Sequence, residues 1–423
     1  MGLGRQTRFT VLLGLVLAML AALCGCAGRT TSRASAPPVP PAPQNDFAHS
    51  AATVSLGTIL DAAGKPLLPL ALGDAAARAD YILVGETHAA PCDHEAQAAI
   101  LKALLDAGLR PAIGLEMVDV TRQDILSAFA RGKLAAADLP RALEWEKNWG
   151  FDFAMYAPVF ESAAAYRLPV FALNLPSALV RKVGAKGLAA LTPAESALVP
   201  GRVIPPGEKA RTRLDAFFQS HATMTAPKRK PAATAPPPAG TDSTRLAAFV
   251  TVQSLWDTQM AYKAVAARAA SGRPVFILAG SWHVEYGDGI AARIRILDPG
   301  ARFLTIMPWR GGKIPESGQA DLHFFCPQSF RSRLGFSLET NEPKDGAPLT
   351  VLVTAVDPGS RAERAGLLAG DAVVFVAGDP VTSLMDLHMA AMEAGKAKKP
   401  LALTVRRGGE LLDIAVDLPG HGK

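Results

Sequence analysis

Four apolar runs of strand length along this chain each stop at a polar side chain. Tyr81-Ile82-Leu83-Val84 leads into Gly85-Glu86-Thr87-His88, and Pro111-Ala112-Ile113-Gly114-Leu115 leads into Glu116. Pro169-Val170-Phe171-Ala172-Leu173 leads into Asn174, and Pro274-Val275-Phe276-Ile277-Leu278-Ala279-Gly280 leads into Ser281-Trp282-His283. Between these runs the period changes. Residues 93–107 repeat apolar side chains at Ala96, Ile100, Ala103 and Leu104, a helical spacing that Gly108 ends. Residues 121–130, 153–167 and 177–185 show the same behaviour, and residues 245–270 predict one long helix stopped by Ser271-Gly272. Strand alternating with helix predicts an α/β domain over residues 53–315, with a largely parallel sheet flanked by helices.

If the four strands are parallel neighbours, their polar ends lie along one edge of one sheet. Open α/β sheets bind ligands just outside the carboxyl ends of their strands. Glu86, His88, Glu116, Asn174 and His283 are then expected around one crevice, with His94 opening the next helix. Buried carboxylates and imidazoles are costly unless paired, protonated or ligated. Gathering them on one edge has no stability motive, so the pattern points to function. Asp93 is expected to cap the helix after His88 and to be able to orient an imidazole. On the long helix, Gln253, Trp256 and Met260 share a face, and Asp257 lies beside it, a set suited to the rim of a pocket. Tyr156 follows Trp149-Gly150-Phe151-Asp152-Phe153; tyrosine and histidine both serve as haem-iron ligands. A packed aromatic with its hydroxyl at the surface is the other reading of Tyr156, and His221 is a further imidazole with no assigned role.

After Pro315 the strands become short and separated by turns. Leu334-Gly335-Phe336-Ser337-Leu338, Val351-Leu352-Val353-Thr354-Ala355-Val356, Ala365-Gly366-Leu367 and the turn Gly370-Asp371 follow in order. Residues 329–419 on these motifs resemble a PDZ domain of the bacterial type, a small β-rich module. The resemblance implies capture of a peptide or protein segment at a sheet edge, with Leu334, Gly335 and Phe336 as the peptide-binding loop. Arg333 stands where such loops often begin with Gly, a departure that bears on capture of a C-terminal carboxylate.

The bulk numbers fit this plan. The chain has 423 residues, 49% hydrophobic and 19% charged, enough for two domains with full cores. Its net charge is +6, or +4 without Arg5 and Arg8. No basic run is interleaved with aromatics, so nucleic acid is not an expected partner. Arg5 and Arg8 precede an apolar stretch at residues 9–23, too short and too early for a good membrane span. Leu23-Cys24-Gly25-Cys26 resembles a lipobox, which implies a signal peptide over residues 1–26 and a lipidated Cys26; an ordinary secretory signal is the alternative. By likeness to other lipoproteins, Ala27 in place of Asp directs the anchor to the outer membrane, facing the periplasm. Residues 27–52, rich in Pro, Ala and Ser, are expected to be a tether, and residues 225–244 a disordered insertion between two helices. Cys92 and Cys326 remain; a disulfide, free thiols and a soft ligand near His94 are all open.

Gly85-Glu86-Thr87-His88, His94, Gly114-Leu115-Glu116-Met117, Trp149-Gly150 with Tyr156, Asn174, Gln253 with Trp256-Asp257 and Met260, and Gly280 with His283 and Gly287 occur in order. Together they resemble the ChaN-like haem-binding lipoproteins. The resemblance implies an α/β domain that binds haem, in haem or iron acquisition at the outer membrane, with haem held between two subunits of a homodimer. It offers Tyr156, His88, His94 and His283 as iron ligands, with Asn174, Gln253, Trp256, Asp257 and Met260 around the cofactor. Trp282 departs from the smaller residue more usual before His283. The same framework resembles the wider superfamily of Tiki-type metalloproteases and erythromycin esterases. That implies a hydrolase, peptidase or esterase-like, as the alternative. Its divalent metal would sit on His88, His283 and Glu86, and Glu86 or Glu116 would activate water. A scaffold that recruits an envelope peptide through the PDZ domain is a third reading.

Overall fold

A computed structural model describes residues 54–225, 240–311, 315–340, 349–382 and 384–418. The leader with Cys26, the 27–52 tether, the core of the 225–244 segment and the side chain of His221 lie outside the described residues.

The first sheet has seven strands: β1 (Ile59–Asp61), β2 (Tyr81–Glu86), β3 (Ala112–Asp119), β4 (Val170–Asn174), β5 (Val275–Gly280), β6 (Phe303–Trp309) and β7 (Leu322–Phe325). Their order is β1-β7-β6-β2-β5-β3-β4. Every pairing is parallel except β1 with β7 at the edge. The four runs that end in polar side chains are therefore consecutive neighbours, β2-β5-β3-β4, and their carboxyl ends share one rim. The sheet continues past residue 315, where the sequence suggested the domain would stop. Leu322–Phe325 is only four residues long, too short a run to stand out, yet it fills the slot between β6 and β1.

Successive side chains of a strand point to opposite faces. On β2, Ile82 and Val84 enter a core with the helices Pro91–Asp106 and Phe153–Ala165. Tyr81 and Leu83 enter the opposite core, with Met260, Ala261 and Ala264 of the long helix Gly240–Ser271. The helix after β2 begins at Pro91, not at Asp93 as expected. Proline suits the first helical turn, where its missing N–H would be unpaired anyway, and Ala90 at the N-cap gives no side-chain bond.

The second sheet runs β14-β13-β11-β10-β9-β8, antiparallel throughout. Its strands are β8 (Ser329–Ser332), β9 (Phe336–Thr340), β10 (Val351–Val356), β11 (Ala372–Val376), β12 (Asp379–Pro380, paired with β11), β13 (Leu401–Arg407) and β14 (Glu410–Val416). Leu338, Val353, Leu367, Val373, Leu403 and Val405 fill a core of its own. Leu334 and Phe336, expected in a peptide-binding loop, bury their side chains there.

Cys92 and Cys326 form a disulfide, with Cα atoms 5.8 Å apart across 234 residues of sequence. This decides among the three readings of these cysteines and removes Cys92 as a ligand. The bond ties the first turn of the helix after β2 to the chain leaving β7. Such a link excludes many unfolded conformations and stabilises by on the order of 4–5 kcal/mol in the chain-entropy picture. Cys92→Ser is therefore expected to lower the thermal midpoint by roughly 5–10 °C, read by calorimetry without reductant. An unchanged midpoint would show that the unlinked chain is no freer.

Candidate functional site

Alternation along β2 puts Glu86 on the same face as Ile82 and Val84, beneath the helices Pro91–Asp106 and Phe153–Ala165. Its carboxylate is buried and fully used. Glu86 Oε1 accepts from His88 Nδ1 at 2.8 Å and from the Tyr156 hydroxyl at 2.8 Å. Oε2 accepts from Gln97 Nε2 at 3.0 Å and lies 3.6 Å from His94 Nδ1. His94 Nε2 donates to the backbone carbonyl of His88 at 3.1 Å, and Trp149 Nε1 donates to the Tyr156 oxygen at 3.0 Å. Tyr156, read from the sequence as an iron ligand or as a surface phenol, is not at the surface. Its hydroxyl is interior and spent on Glu86 and Trp149.

On β3, Leu115 and Met117 enter the same core as Ile82, so Glu116 projects to the face of the long helix. Its Oε2 accepts from the Gly280 backbone N–H at 2.6 Å, and its Oε1 stands 3.4 Å from His283 Nε2. His283 Nδ1 donates to Asp257 Oδ1 at 2.7 Å, and the buried Arg293 lies 3.4 Å from the other Asp257 oxygen. Trp256 meets the His283 ring edge-on at 6.2 Å between centroids. His88 and His283 thus each have a carboxylate on Nδ1, the arrangement that fixes a ring; His283 Nε2 faces Glu116, and His88 Nε2 is the one left for a ligand.

The two acid–imidazole groups start from opposite faces and meet at the end of β5. Gly280 has no side chain, and the His88 ring uses that space: a Cβ there would stand 2.9 Å from His88 Cε1 and 3.6 Å from Glu116 Oε2. Of the three imidazoles, His88 is the open one. Its side chain is 30% exposed, against 1% for His94 and 9% for His283. Trp149 and Phe151, both half-buried, flank its ring at 4.8 and 5.3 Å between centroids.

The other expected residues take supporting places. Asn174 Nδ2 donates to the Glu116 carbonyl at 2.9 Å and so joins the ends of β3 and β4. Gln253 lines a small cavity with Asp257, Trp282, Glu285 and Arg293 on the far side of His283. Met260, expected near a cofactor, lies inside the apolar core against β5. Trp282 is 44% exposed and turns outward against Phe217, so it does not fill the space beside His88. Asp93 neither caps its helix nor orients an imidazole. Arg310, just after β6, grips both its oxygens at 2.6 Å, and one of them also accepts from Thr87 N–H at 2.7 Å. A guanidinium fork matches a carboxylate better than a single ring nitrogen does.

Sequence reasoning missed Gln97, Arg293 and Arg310. Gln97 stands three residues after His94, on one helix face, and that spacing was a usable signal. Arg293 sits among Ile290, Ala291 and Ile294, a charge on an otherwise apolar stripe. Arg310 gave no local signal. Among the described residues, no group of three or more His, Cys, Asp or Glu side chains is placed to hold a metal ion. The divalent-metal alternative is therefore not supported, because Glu86 and Glu116 are already committed to imidazoles, a phenol and backbone.

Residues 72–294, just over half of the chain, match the family described as haem-binding uptake, Tiki superfamily, ChaN. Residues 332–418 match the PDZ family. Among solved structures, one described as cofacial haem binding to ChaN of Campylobacter jejuni is 21% identical, covers 63% of this chain and 95% of its own, and has a TM-score of 0.48. An erythromycin esterase in its open conformation is 13% identical over 69% of this chain and 81% of its own, with a TM-score of 0.34. The PDZ domain of EpsC from Vibrio cholerae is 23% identical over 20% of this chain and 95% of its own, with a TM-score of 0.17. No curated protein sequence matches the chain.

The electrostatics of the rim follow from its pairing. Burial opposes the charge on Glu116, but His283, with His88 and the Gly280 amide, brings its pKa down to about 2. Burial also opposes the charge on His283, yet Glu116 and Asp257 raise its pKa to about 10. Burial and the Glu86 charge push the Tyr156 phenol far above its ordinary range. Glu86 is held below its usual value by His94 and His88 despite burial, and His88 is raised by Glu86 and Glu116 against the same penalty. A raised histidine stabilises the fold fully below its unfolded pKa, and that contribution disappears as pH climbs through the folded one. For His283 the window runs from the ordinary imidazole value of 6.5 to about 10. For Glu116, stability is lost on the acid side, between its ordinary 4.5 and about 2. The thermal midpoint of the protein is expected to fall steadily from pH 6.5 to pH 10, and His283→Gln is expected to flatten that slope. Equal slopes in the two proteins would place the titrating group elsewhere.

Proposed function

The chain belongs to the ChaN family of haem-binding uptake proteins in the Tiki superfamily, and on that premise we propose that it holds haem at the rim of β2, β5 and β3 with His88 as an iron ligand. The observation that carries this reading is the state of His88. Its Nδ1–H is fixed on Glu86, so the Nε2 lone pair is the one left for iron. Its flank is open, and Trp149 and Phe151 supply the aromatic surface a planar apolar cofactor requires. Bound haem would supply an iron that an imidazole nitrogen can ligate, and His88 would hold it. The residues do the rest: Glu86 holds the ring and its Nδ1 proton, and Tyr156 and Gln97 hold Glu86. Gly280 leaves room for the imidazole edge, and His283 with Asp257 neutralises Glu116 nearby.

His94 and Tyr156 act behind this ligand, in keeping with their burial. A second copy of the chain is the proposed partner in holding haem against the open side of His88. The proposed setting is the periplasmic side of the outer membrane, through lipid on Cys26, in haem or iron acquisition. The leader pattern supports that anchor. Among the described residues no helix is long and apolar enough to cross a membrane. The PDZ domain then serves a peptide or protein partner of the envelope.

Haemin titrated into the full-length mature protein is expected to give a shifted Soret band, with sedimentation showing whether haemin brings two copies together. His88→Ala is expected to lose the shift, and Glu86→Gln to weaken binding about 10–100-fold, the usual effect of removing a ligand's orienting partner. Tyr156→Phe should keep the Soret shift. A His88→Ala protein that titrates like the parent would end the assignment. For the anchor, Cys26→Ser is expected to move the protein from the membrane to the soluble periplasmic fraction; unchanged membrane association would refute lipidation at that residue.

A further inference from the structure

Strand β8, between the two domains, occupies a place that the PDZ fold keeps for something else. It runs antiparallel along β9, with Phe330 opposite Leu338, Arg331 opposite Ser337 and Ser332 opposite Phe336. The other side of β9 is already taken by β10. Domains of this class capture an extended peptide by adding it as a strand to an open sheet edge. Here the chain's own residues fill the edge beside Leu334-Gly335-Phe336. Phe330 packs against the apolar core of the domain, as an anchoring side chain of a bound peptide would. The loop amides are occupied as well. Leu334 N–H donates to the Ser332 hydroxyl at 3.1 Å, and Gly335 N–H to the Ser332 carbonyl at 3.1 Å.

The same strand grips the loops beside His88. Arg331 N–H donates to the carbonyl of Ala89 at 2.6 Å. The Arg331 guanidinium bridges Asp152 at 3.2 Å and Asp357 of the PDZ domain at 3.1 Å. The Arg333 guanidinium rests on Gly150 so closely that a Cβ at that position would strike it. The four-residue strand touches Ala89, Asp152 and the PDZ groove at once, and Arg333 just after it adds Gly150.

We propose that Ser329–Ser332 is an internal ligand of the PDZ domain. The external partner that fits is an extended peptide segment with an aromatic side chain to replace Phe330, taken along β9 without a free C-terminal carboxylate. The partner displaces β8, and in doing so releases Ala89, Asp152 and Gly150. Peptide capture and the mobility of the His88 loop are thereby linked. This inference stands on the strand pairing and the Arg331 and Arg333 contacts and does not require haem. An internal ligand closed about 90–99% of the time weakens the apparent affinity of an external one about 10–100-fold.

The test uses the full-length mature protein and a fluorescent synthetic peptide of residues 327–334. The peptide is expected to bind Phe330→Ala at least tenfold more tightly than the parent. Arg331→Ala, which leaves the PDZ core untouched, should shift affinity in the same direction. A peptide with Asp in place of its Phe is expected not to bind. Saturating peptide on the parent should speed backbone hydrogen exchange at residues 329–332, 87–90 and 149–152. Equal affinity for the parent and both variants, absence of binding to any of them, or binding that leaves exchange at 329–332 unchanged would each overturn the proposal.

Discussion

The Glu86 carboxylate is charged, interior and surrounded, and the rim of the sheet is organised around keeping it so. Taking such a group out of water costs several kcal/mol unless its lone pairs are met. Three donors meet them, from His88, Tyr156 and Gln97, with the His94 ring alongside. Those donors come from β2's own extension and from two helices. The carboxylate therefore cannot be satisfied unless both helices are docked. Removing one donor leaves the others around an undercompensated charge, the situation in which buried pairs become strongly destabilising. Stability and the orientation of the His88 ring are thus one interaction, because the bond that neutralises Glu86 is also the bond that sets that ring.

The pleat of the sheet explains why there are two acid–imidazole groups and why they differ. Glu86 and Glu116 leave neighbouring regions of the rim toward opposite faces. Each finds its own partners: Gln97 and Tyr156, from two helices, answer Glu86, while Asp257 on the long helix holds the histidine that answers Glu116. A slip of one residue in either strand would turn that strand's carboxylate to the other face, away from its partners. The groups come together only at β5, where Gly280 gives the His88 ring access to the other side. The first group keeps an open imidazole and the second a closed one.

The segment carrying His88 is tied from three directions. Arg310 after β6 clamps Asp93 and Thr87, Cys326 after β7 is bonded to Cys92, and Arg331 of β8 holds the Ala89 carbonyl. Loops that carry function gain precision when their support is locked. One of these ties is covalent and one an ion pair, whereas the third is a strand that another strand can replace. The PDZ domain is thus placed where an exchange of backbone partners reaches the site without any change in the sheet itself.

By itself the sequence determined the periodic part of this protein. The apolar runs at β2, β3, β4 and β5, the helices between them and the turn-rich second domain are local patterns, and local patterns survive without knowledge of the fold. The polar residues that terminate the strands, Glu86, Glu116, Asn174 and His283, were legible for the same reason. What each side chain touches was not. Tyr156 could be read as a ligand or a surface phenol, Asp93 as a cap, and Cys92 as a thiol, because those readings depend on partners 70, 217 and 234 residues away. Only the packed structure brought Arg310 to Asp93, Cys326 to Cys92 and Ser329–Ser332 to β9. A hydrogen bond, a disulfide or a strand pairing across such distances is fixed by the order of strands in the sheet, and no short stretch of chain contains that order.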